Sequence, residues 1–419
     1  MRPLRPNLWR HRDFMKLWSG QTISLFGSHI GGSALRFTAI LFLGATPFQL
    51  GVLTAAQMAP ALLLGLLAGV WVDRLRRRPI LIAADLGRGL LLLSVPLAFA
   101  LGLLRIEQLY VVAALAGALT IFFDVAYGAF LPTVIGREQL VEGNSKLGAS
   151  DSLAEIAGPP AGGILVQLIS APLAILFDAL SFFMSALAIW RIGAPEAAPL
   201  VSSASPNLRR EVADGLRAVL HNPLLRPLLG AGVTLSLFGN IIGALYDLYL
   251  IRELGLSPAL IGLTIGIGGV SALFGAFLAA PVVARFGIGP TLGGVLILKI
   301  GTISLLPLAH GPYALAMLMI GQAGDVLFAI YAIAETSLRQ SIAPERMLGR
   351  INASFNVLIT GAGLCGALLG GVLAESIGTR GALVVAAIGI STACLWIVLS
   401  PLWRVRRAPE VALGIEPYS

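Results

Sequence analysis

Between two apolar runs long enough to cross a bilayer lies Gly69-Val-Trp-Val-Asp73-Arg74-Leu-Arg-Arg77-Arg78-Pro79, the densest cluster of cations in the chain. A loop this short cannot fold by itself, and Lys and Arg gather on the cytoplasmic side of membrane spans. The loop therefore sets which end of every span before and after it faces inward. Composition agrees: 57% of residues are apolar, only 12% are charged, and the mean hydropathy is +0.88. A soluble domain carries roughly a quarter charged residues. Such a chain would expose large apolar area in water, so lipid is its solvent. At about 20 residues per span, the 419 residues accommodate up to a dozen helices.

The net charge of +8 does not point to nucleic acid. Most of the Lys and Arg fall in segments assigned to the inner side, where they set orientation and touch anionic lipid. Cys365 and Cys394 lie in apolar runs and read as small packing residues, without a disulfide framework. No cleavable signal peptide is expected, because the first apolar run is too long for one and no small-residue cleavage site follows it.

The expected architecture is an all-α integral membrane protein with both termini cytoplasmic. Twelve transmembrane helices fall into two six-helix bundles, residues 1–192 and 227–403. Spans 1 to 6 are predicted at 13–43, 49–72, 80–104, 109–131, 138–169 and 173–192. Residues 193–226 form a linker, of which 207–220 carry Leu208, Val212, Leu216 and Val219 on one stripe and Arg on the other. That pattern suits a helix lying on the membrane surface. Spans 7 to 12 are predicted at 227–251, 258–284, 290–309, 313–338, 346–377 and 381–401, and 404–419 form a basic tail. The outward loops near residues 45, 170, 255 and 311 carry almost no Lys or Arg. An internal repeat supports the division: 133–144 and 341–352 match in polarity and length, each following an even-numbered span.

The loop's form, Gly-x-x-x-Asp-Arg-x-x-Arg-Arg, resembles the signature between helices 2 and 3 of the major facilitator superfamily of transporters. The resemblance implies a cytoplasmic latch, with Gly69 permitting close helix contact, Asp73 facing a helix end, and Arg74, Arg77 and Arg78 pairing with acidic residues. Charge alone would equally allow a positive-inside loop with no latch. The second half lacks the motif, since Ala284 stands where Asp73 would be. In span 5, Gly158-Pro159-Pro160-Ala161-Gly162-Gly163 resembles the core of the superfamily's antiporter motif, which implies a bend that seals one face. Ser145 and Ala154 replace the upstream glycines of the full motif, and a plain Pro-kinked helix is the alternative. Phe122-Phe-Asp124, Leu131-Pro132, Arg137-Glu-Gln-Leu140 and Phe177-Asp178-Ala-Leu-Ser181-Phe182 resemble a narrower group that includes the enterobactin exporter and macrolide efflux pumps. That resemblance implies export of a small organic molecule driven by the proton gradient.

Charges inside the bilayer cost several kcal/mol unless paired or wetted, so each is a candidate. Asp85 and Arg88 share a face of span 3, and Asp124 in span 4 is expected within reach of Arg88 or the latch arginines. The trio is assigned to structure and gating. Lys299 in span 9 and Asp325 in span 10 sit at matching depth, as a plain ion pair or a proton-responsive one. Asp151 and Glu155 are one turn apart in span 5. Two carboxylates that close in low dielectric resist double ionisation, which makes them candidates for proton coupling. Arg36 and, two turns earlier, His29 complete the transport-site candidates. Asp178 and Asp247 are expected to act as caps or loop anchors. Gln57, Asn240, Gln322 and Asn356 either line the path or bond between helices.

The expected partners are a small-molecule substrate, protons and membrane lipid, with no nucleic acid, for a monomer in the bacterial plasma membrane. No cofactor or metal is expected, the energy coming from the proton gradient. An importer or uniporter on the same fold is the alternative. A membrane enzyme or receptor is less favoured, because the chain has no Walker A loop, no His-x-x-x-His spacing and no Gly-x-Ser-x-Gly elbow.

Overall fold

The computed structural model describes residues 7–196 and 208–406, and among them it is built of helices without strands. In order these are α1 (Arg12–Phe37), α2 (Pro47–Arg74), α3 (Arg77–Ala100), α4 (Ile106–Ile135), α5 (Leu140–Ile169) and α6 (Ala171–Trp190). There follow α7 (Leu208–His221), α8 (Leu225–Arg252), α9 (Pro258–Phe286), α10 (Ile288–Leu308), α11 (Ala314–Ala323), α12 (Asp325–Ile342) and α13 (Leu348–Val398). Ten stretches are long and apolar enough to cross a membrane. One of them, α13, holds the non-helical residue Gly378 (φ 81°), which divides it into two helices. The helix α1 is 26 residues long but carries too many polar groups to count among the ten.

Local chemistry explains the boundaries. Thr46 caps α2: its hydroxyl accepts from Gln49 N–H at 3.2 Å, the Gln49 side chain accepts from Thr46 N–H at 2.9 Å, and Pro47 occupies the first turn. Span 4 was expected to end before Pro132, yet α4 continues to Ile135, since a membrane helix tolerates a proline where neighbouring groups can satisfy the carbonyl it frees. The helix α5 likewise runs unbroken through Pro159 and Pro160. Span 10 is the reverse case. The helix stops at Ala323 and restarts at Asp325, and Ser271 bridges the gap, donating to the Ala323 carbonyl and accepting from Val326 N–H at 2.9 Å. The two repeat segments take one shape: each ends an α-helix, makes a single 3-10 turn (Arg137–Gln139, Glu345–Met347) and opens the next long helix.

The described chain forms two compact units that do not follow the six-and-six division. The first is Met1–Ser205 with Gly243–Gly269 and Ala367–Thr379, and the second is Pro206–Ile242, Val270–Gly366 and Arg380–Ser419. The first unit thus gathers the end of α8, the start of α9 and the middle of α13 onto α1–α6. Small residues make this possible. On α5, Gly158 and Gly162 sit against His29 and Ile30 of α1, and Gly163 against the Pro258 carbonyl. Reciprocally, Gly262 and Gly266 of α9 sit against Pro159 and Pro160. Backbones that approach this closely gain dispersion and lose no side-chain entropy. A cluster of Leu8, Phe14, Leu17, Val72, Leu81, Phe123, Phe130 and Ile189 fills the basic-loop end of the unit. In the second unit, α7 lies against α13, with Gly215 on the Arg350 carbonyl and Asp214 within 3.8 Å of the Arg350 guanidinium. The side chains of Leu208 and Val212, expected on its apolar stripe, lie outside the described residues.

Candidate functional site

Inside the first unit, α1, α2, α3, α4 and α6 enclose a cavity of 160 Å³. Its polar lining comes from Ser28, Gln57, Arg88, Thr120 and Asp178. A water occupies roughly 30 Å³ in the liquid, so the space suits about five waters and is far too small for a drug-sized molecule.

Arg88 is fixed from every side. Its guanidinium pairs with Asp85 at 2.5 Å, donates to the Thr120 hydroxyl at 3.3 Å, and lies over the rings of Phe123 (4.4 Å) and Phe182 (4.2 Å). The two rings hold the guanidinium at the wall of the cavity, with only 7% of the side chain exposed. Asp124, expected to complete this trio, is exposed and forms no ion pair among the described residues. The residue beside it, Phe123, faces Arg88 instead, because adjacent positions on a helix point about 100° apart.

Asp178 departs most from expectation. Placed at a helix end by the sequence reading, it is buried in the middle of α6, 4% exposed. Its Oδ1 accepts from Ser28 at 3.3 Å and from Ser181 at 3.4 Å. Gly27 and Gly31 of α1 lie directly on Asp178 and Ser181, where any side chain would collide. The signal was present in the Gly27/Gly31 pair, but sequence alone does not say what packs there.

Asp247 is likewise no cap. Its Oδ2 receives Arg36 Nε at 2.6 Å, joining α1 to α8 within the first unit. Arg252 donates to the Ala45 carbonyl at 2.9 Å, and the Glu375 carboxylate accepts from Phe48 N–H at 3.4 Å. Together these tie the end of α1 and the start of α2 to α8 and α13. His29 does not join Arg36; it packs on Gly158 of α5.

Asp151 and Glu155 are exposed on α5, and neither forms an ion pair among the described residues. Lys299 and Asp325 meet at 2.7 Å, across α10 and α12. Asn240 bonds to the Ser236 carbonyl of its own helix, Asn356 is exposed, and Gln322 has a partner. Cys394 is buried, whereas Cys365 is exposed.

The basic loop is held differently from the expected latch. The Asp73 side chain lies outside the described residues. Gly69 has open space where a side chain would stand, so it makes no close helix contact. Arg74, Arg77 and Arg78 form no ion pair among the described residues. Instead Glu196 accepts from the backbone N–H groups of Arg77 and Arg78, at the start of α3, and the Arg78 guanidinium donates to the Trp190 carbonyl. A carboxylate on the first N–H groups of a helix satisfies otherwise orphaned donors and meets the positive end of the dipole.

The Major Facilitator Superfamily profile matches residues 17–363 and, in an overlapping second match, 228–416. The uncharacterized MFS-type transporter YfiS of Bacillus subtilis is 28% identical, covering 89% of each chain. The multidrug efflux pump Tap of Mycolicibacterium fortuitum is 28% identical over 87% of this chain and 89% of its own. Macrolide efflux protein A of Streptococcus pyogenes is 27% identical over 62% and 63%. Among solved structures, a bacterial homologue of the iron transporter ferroportin in its inward-facing state has a TM-score of 0.76. It covers 93% of this chain and 98% of that one at 19% identity, a likeness of fold alone. The multi-pass helical fold and the profile match together make this chain a transporter of the major facilitator superfamily rather than an enzyme.

Proposed function

We propose that this protein exports a small hydrophobic or amphipathic molecule across the bacterial plasma membrane, in exchange for protons, by alternating access. The observation that carries the reading is the alignment with a multidrug efflux pump along most of both chains. The ten apolar stretches become twelve spans when α13 is divided at Gly378 and α1 is counted. An even number of spans with basic ends supports cytoplasmic termini. Polar residues along α1 fit a helix that lines an aqueous path rather than lipid.

In this reading the basic loop is the inner latch and the ties at Arg36, Arg252 and Glu375 are the outer clasp. Each half of the cycle breaks one set and remakes the other. Gly158, Pro159, Gly162 and Gly163 keep α5 seated on α1 and α9, so that ions do not leak along that seam. The protein works as a monomer surrounded by lipid. Asp151 and Glu155, exposed on α5, serve the substrate's path better than they serve coupling.

The test is accumulation of ethidium, erythromycin and a catecholate siderophore in cells that overproduce or lack the protein, with and without a protonophore. Export predicts lower accumulation on overproduction for at least one of them, abolished by the protonophore. Lower accumulation that survives the protonophore would remove proton coupling. Raised accumulation would make the protein an importer.

A further inference from the structure

Resting on the proton-coupled reading, the question is which carboxyl carries the proton. Asp178 has what Asp151 and Glu155 lack. It is 4% exposed, and its contacts through Oδ1 are to two neutral hydroxyls. Its Oδ2 lies over Gly31, takes no hydrogen bond from a described residue, and the side chain borders the 160 Å³ cavity. Among the described residues no cation lies within ion-pair distance of it.

The charged and titratable groups on the helices packed against α6 are accounted for. On α1, His29 faces α5, Arg36 is taken by Asp247, and Lys16 is taken by Asp13 and the Arg191 carbonyl. On α3, Arg88 is committed to Asp85, although its charge reaches Asp178 across the cavity. On α5, Glu142 pairs with Lys146, and Asp151 and Glu155 are exposed. Asp124 on α4, next to α3, adds a second negative charge within reach of Arg88. One guanidinium therefore serves three carboxyls, and only Asp85 pairs with it.

A carboxyl in this setting stands either as a carboxylate held by the Ser28 hydroxyl, with Ser181 donating mainly to the Asp178 backbone carbonyl at 2.8 Å, or as an acid whose proton points into the cavity. We propose that Asp178 is the proton-carrying carboxyl of this transporter, loaded and unloaded through the cavity between α1, α2, α3, α4 and α6. A proton from cavity water adds to Oδ2 to give the neutral acid and returns to water on release, with no other bond made or broken. The cavity's size admits water and excludes the exported molecule, so proton and substrate occupy different places.

The structure also supplies the link to movement. Ser28, which donates to Asp178, and Arg36, which clasps Asp247, stand on the same helix α1, about 12 Å apart at 1.5 Å per residue. Hydrogen bonds to charged groups are roughly twice as strong as neutral ones. Protonation therefore weakens one tie between α1 and α6 where Gly27 and Gly31 present no side chains, while the Gln21–Ser185 hydrogen bond at 3.1 Å remains nearer the other end. A shift of α1 is then felt at the outer clasp.

The decisive experiment needs no known substrate. Infrared difference spectra between acidic and alkaline buffer are recorded on the full chain in lipid nanodiscs. The carbonyl stretch of a protonated carboxylic acid is expected in the wild type and in the Asp151→Asn/Glu155→Gln double variant, and is lost in Asp178→Asn. Should Asp178→Asn fail to fold, Asp178→Glu moves the band to a new frequency. A band unchanged in both Asp178 variants, or absent from the wild type, overturns the proposal. Ethidium movement in proteoliposomes under an imposed pH gradient separates this from the broader reading. If the gradient drives the wild type, Asp178→Asn loses at least tenfold of that drive but keeps downhill exchange. If the gradient drives both equally, this assignment falls and proton-coupled export stands. If it drives neither while the band behaves as expected, the coupled-export reading falls and the proton site stands.

Discussion

In the first half of the chain, Asp85 and Arg88 stand one turn apart on a single helix, nearly buried, with Arg88 between two aromatic rings at the cavity wall. In the second half, Lys299 and Asp325 stand on different helices, and the Asp325 side chain is 35% exposed at the break between α11 and α12. The first arrangement is rigid, because one backbone carries both charges and the rings fix the cation. The second depends on the seat of α12 against α10, and can open when Gly324 and its Ser271 bridge move. The same problem, a charge pair within an apolar span, is solved once as a fixture and once as a joint.

The sharpest way to break that comparison is Asp85→Ala. It leaves the Arg88 guanidinium, 7% exposed, without its anion. Stranding one member of a buried pair costs about 3–5 kcal/mol, so thermal unfolding in detergent should fall steeply or the protein fail to accumulate. A drop no larger than that of a surface variant would show that water reaches Arg88, and the fixture would be a joint as well.

Arg36→Ala comes next. It strands Asp247, 5% exposed, but Arg36 itself is 30% exposed, so part of its attraction is screened. The expected loss is about 2 kcal/mol of clasp strength, near thirtyfold in the balance of clasped and open forms. The charge-swapped Arg36→Asp/Asp247→Arg double variant should recover most of it. Accessibility of a cysteine placed at Ala45 to a membrane-impermeant maleimide is the measure, and labelling equal to that of wild type would remove the clasp. Asp325→Ala should cost less, about 1–2 kcal/mol, since solvent already meets its carboxylate. A loss equal to that of Asp85→Ala would mean the two halves are built alike after all.

How far the sequence could see depended on the kind of signal. Apolar runs and the asymmetry of Lys and Arg are one-dimensional quantities, so the helix order and the membrane class were legible from residues 69–79 and the runs beside them. The Asp85–Arg88 pair was legible too, because three residues on one helix always share a face. What failed needed the rotation of one helix against another. Asp178 and Asp247 looked like end groups by their position along the chain, and only packing against Gly31 and Arg36 shows them to be interior partners. Asp151 and Glu155 show the opposite limit: spacing put them on one face, and the structure finds that face exposed, which spacing alone does not say.

The mildest test of the two halves lies at their last turns. Ser170, before α6, and Gly378, within α13, adopt nearly the same backbone, φ 106° and ψ 156° against φ 81° and ψ 159°. This region belongs to glycine, and holding another residue there costs on the order of 1–3 kcal/mol. The serine gains nothing in return, since its hydroxyl is buried without a hydrogen-bond partner. Glycine in its place loses more chain entropy on folding, about 0.5–1 kcal/mol, which takes back part of the relief. Ser170→Gly should therefore raise stability by about 1 kcal/mol, read as a higher melting temperature in detergent, and Gly378→Ser should lower it by at least as much. A Ser170→Gly variant that melts earlier would show that the serine side chain stabilises this turn by more than its backbone strain costs, and the halves would then differ here by packing and not by accident of sequence.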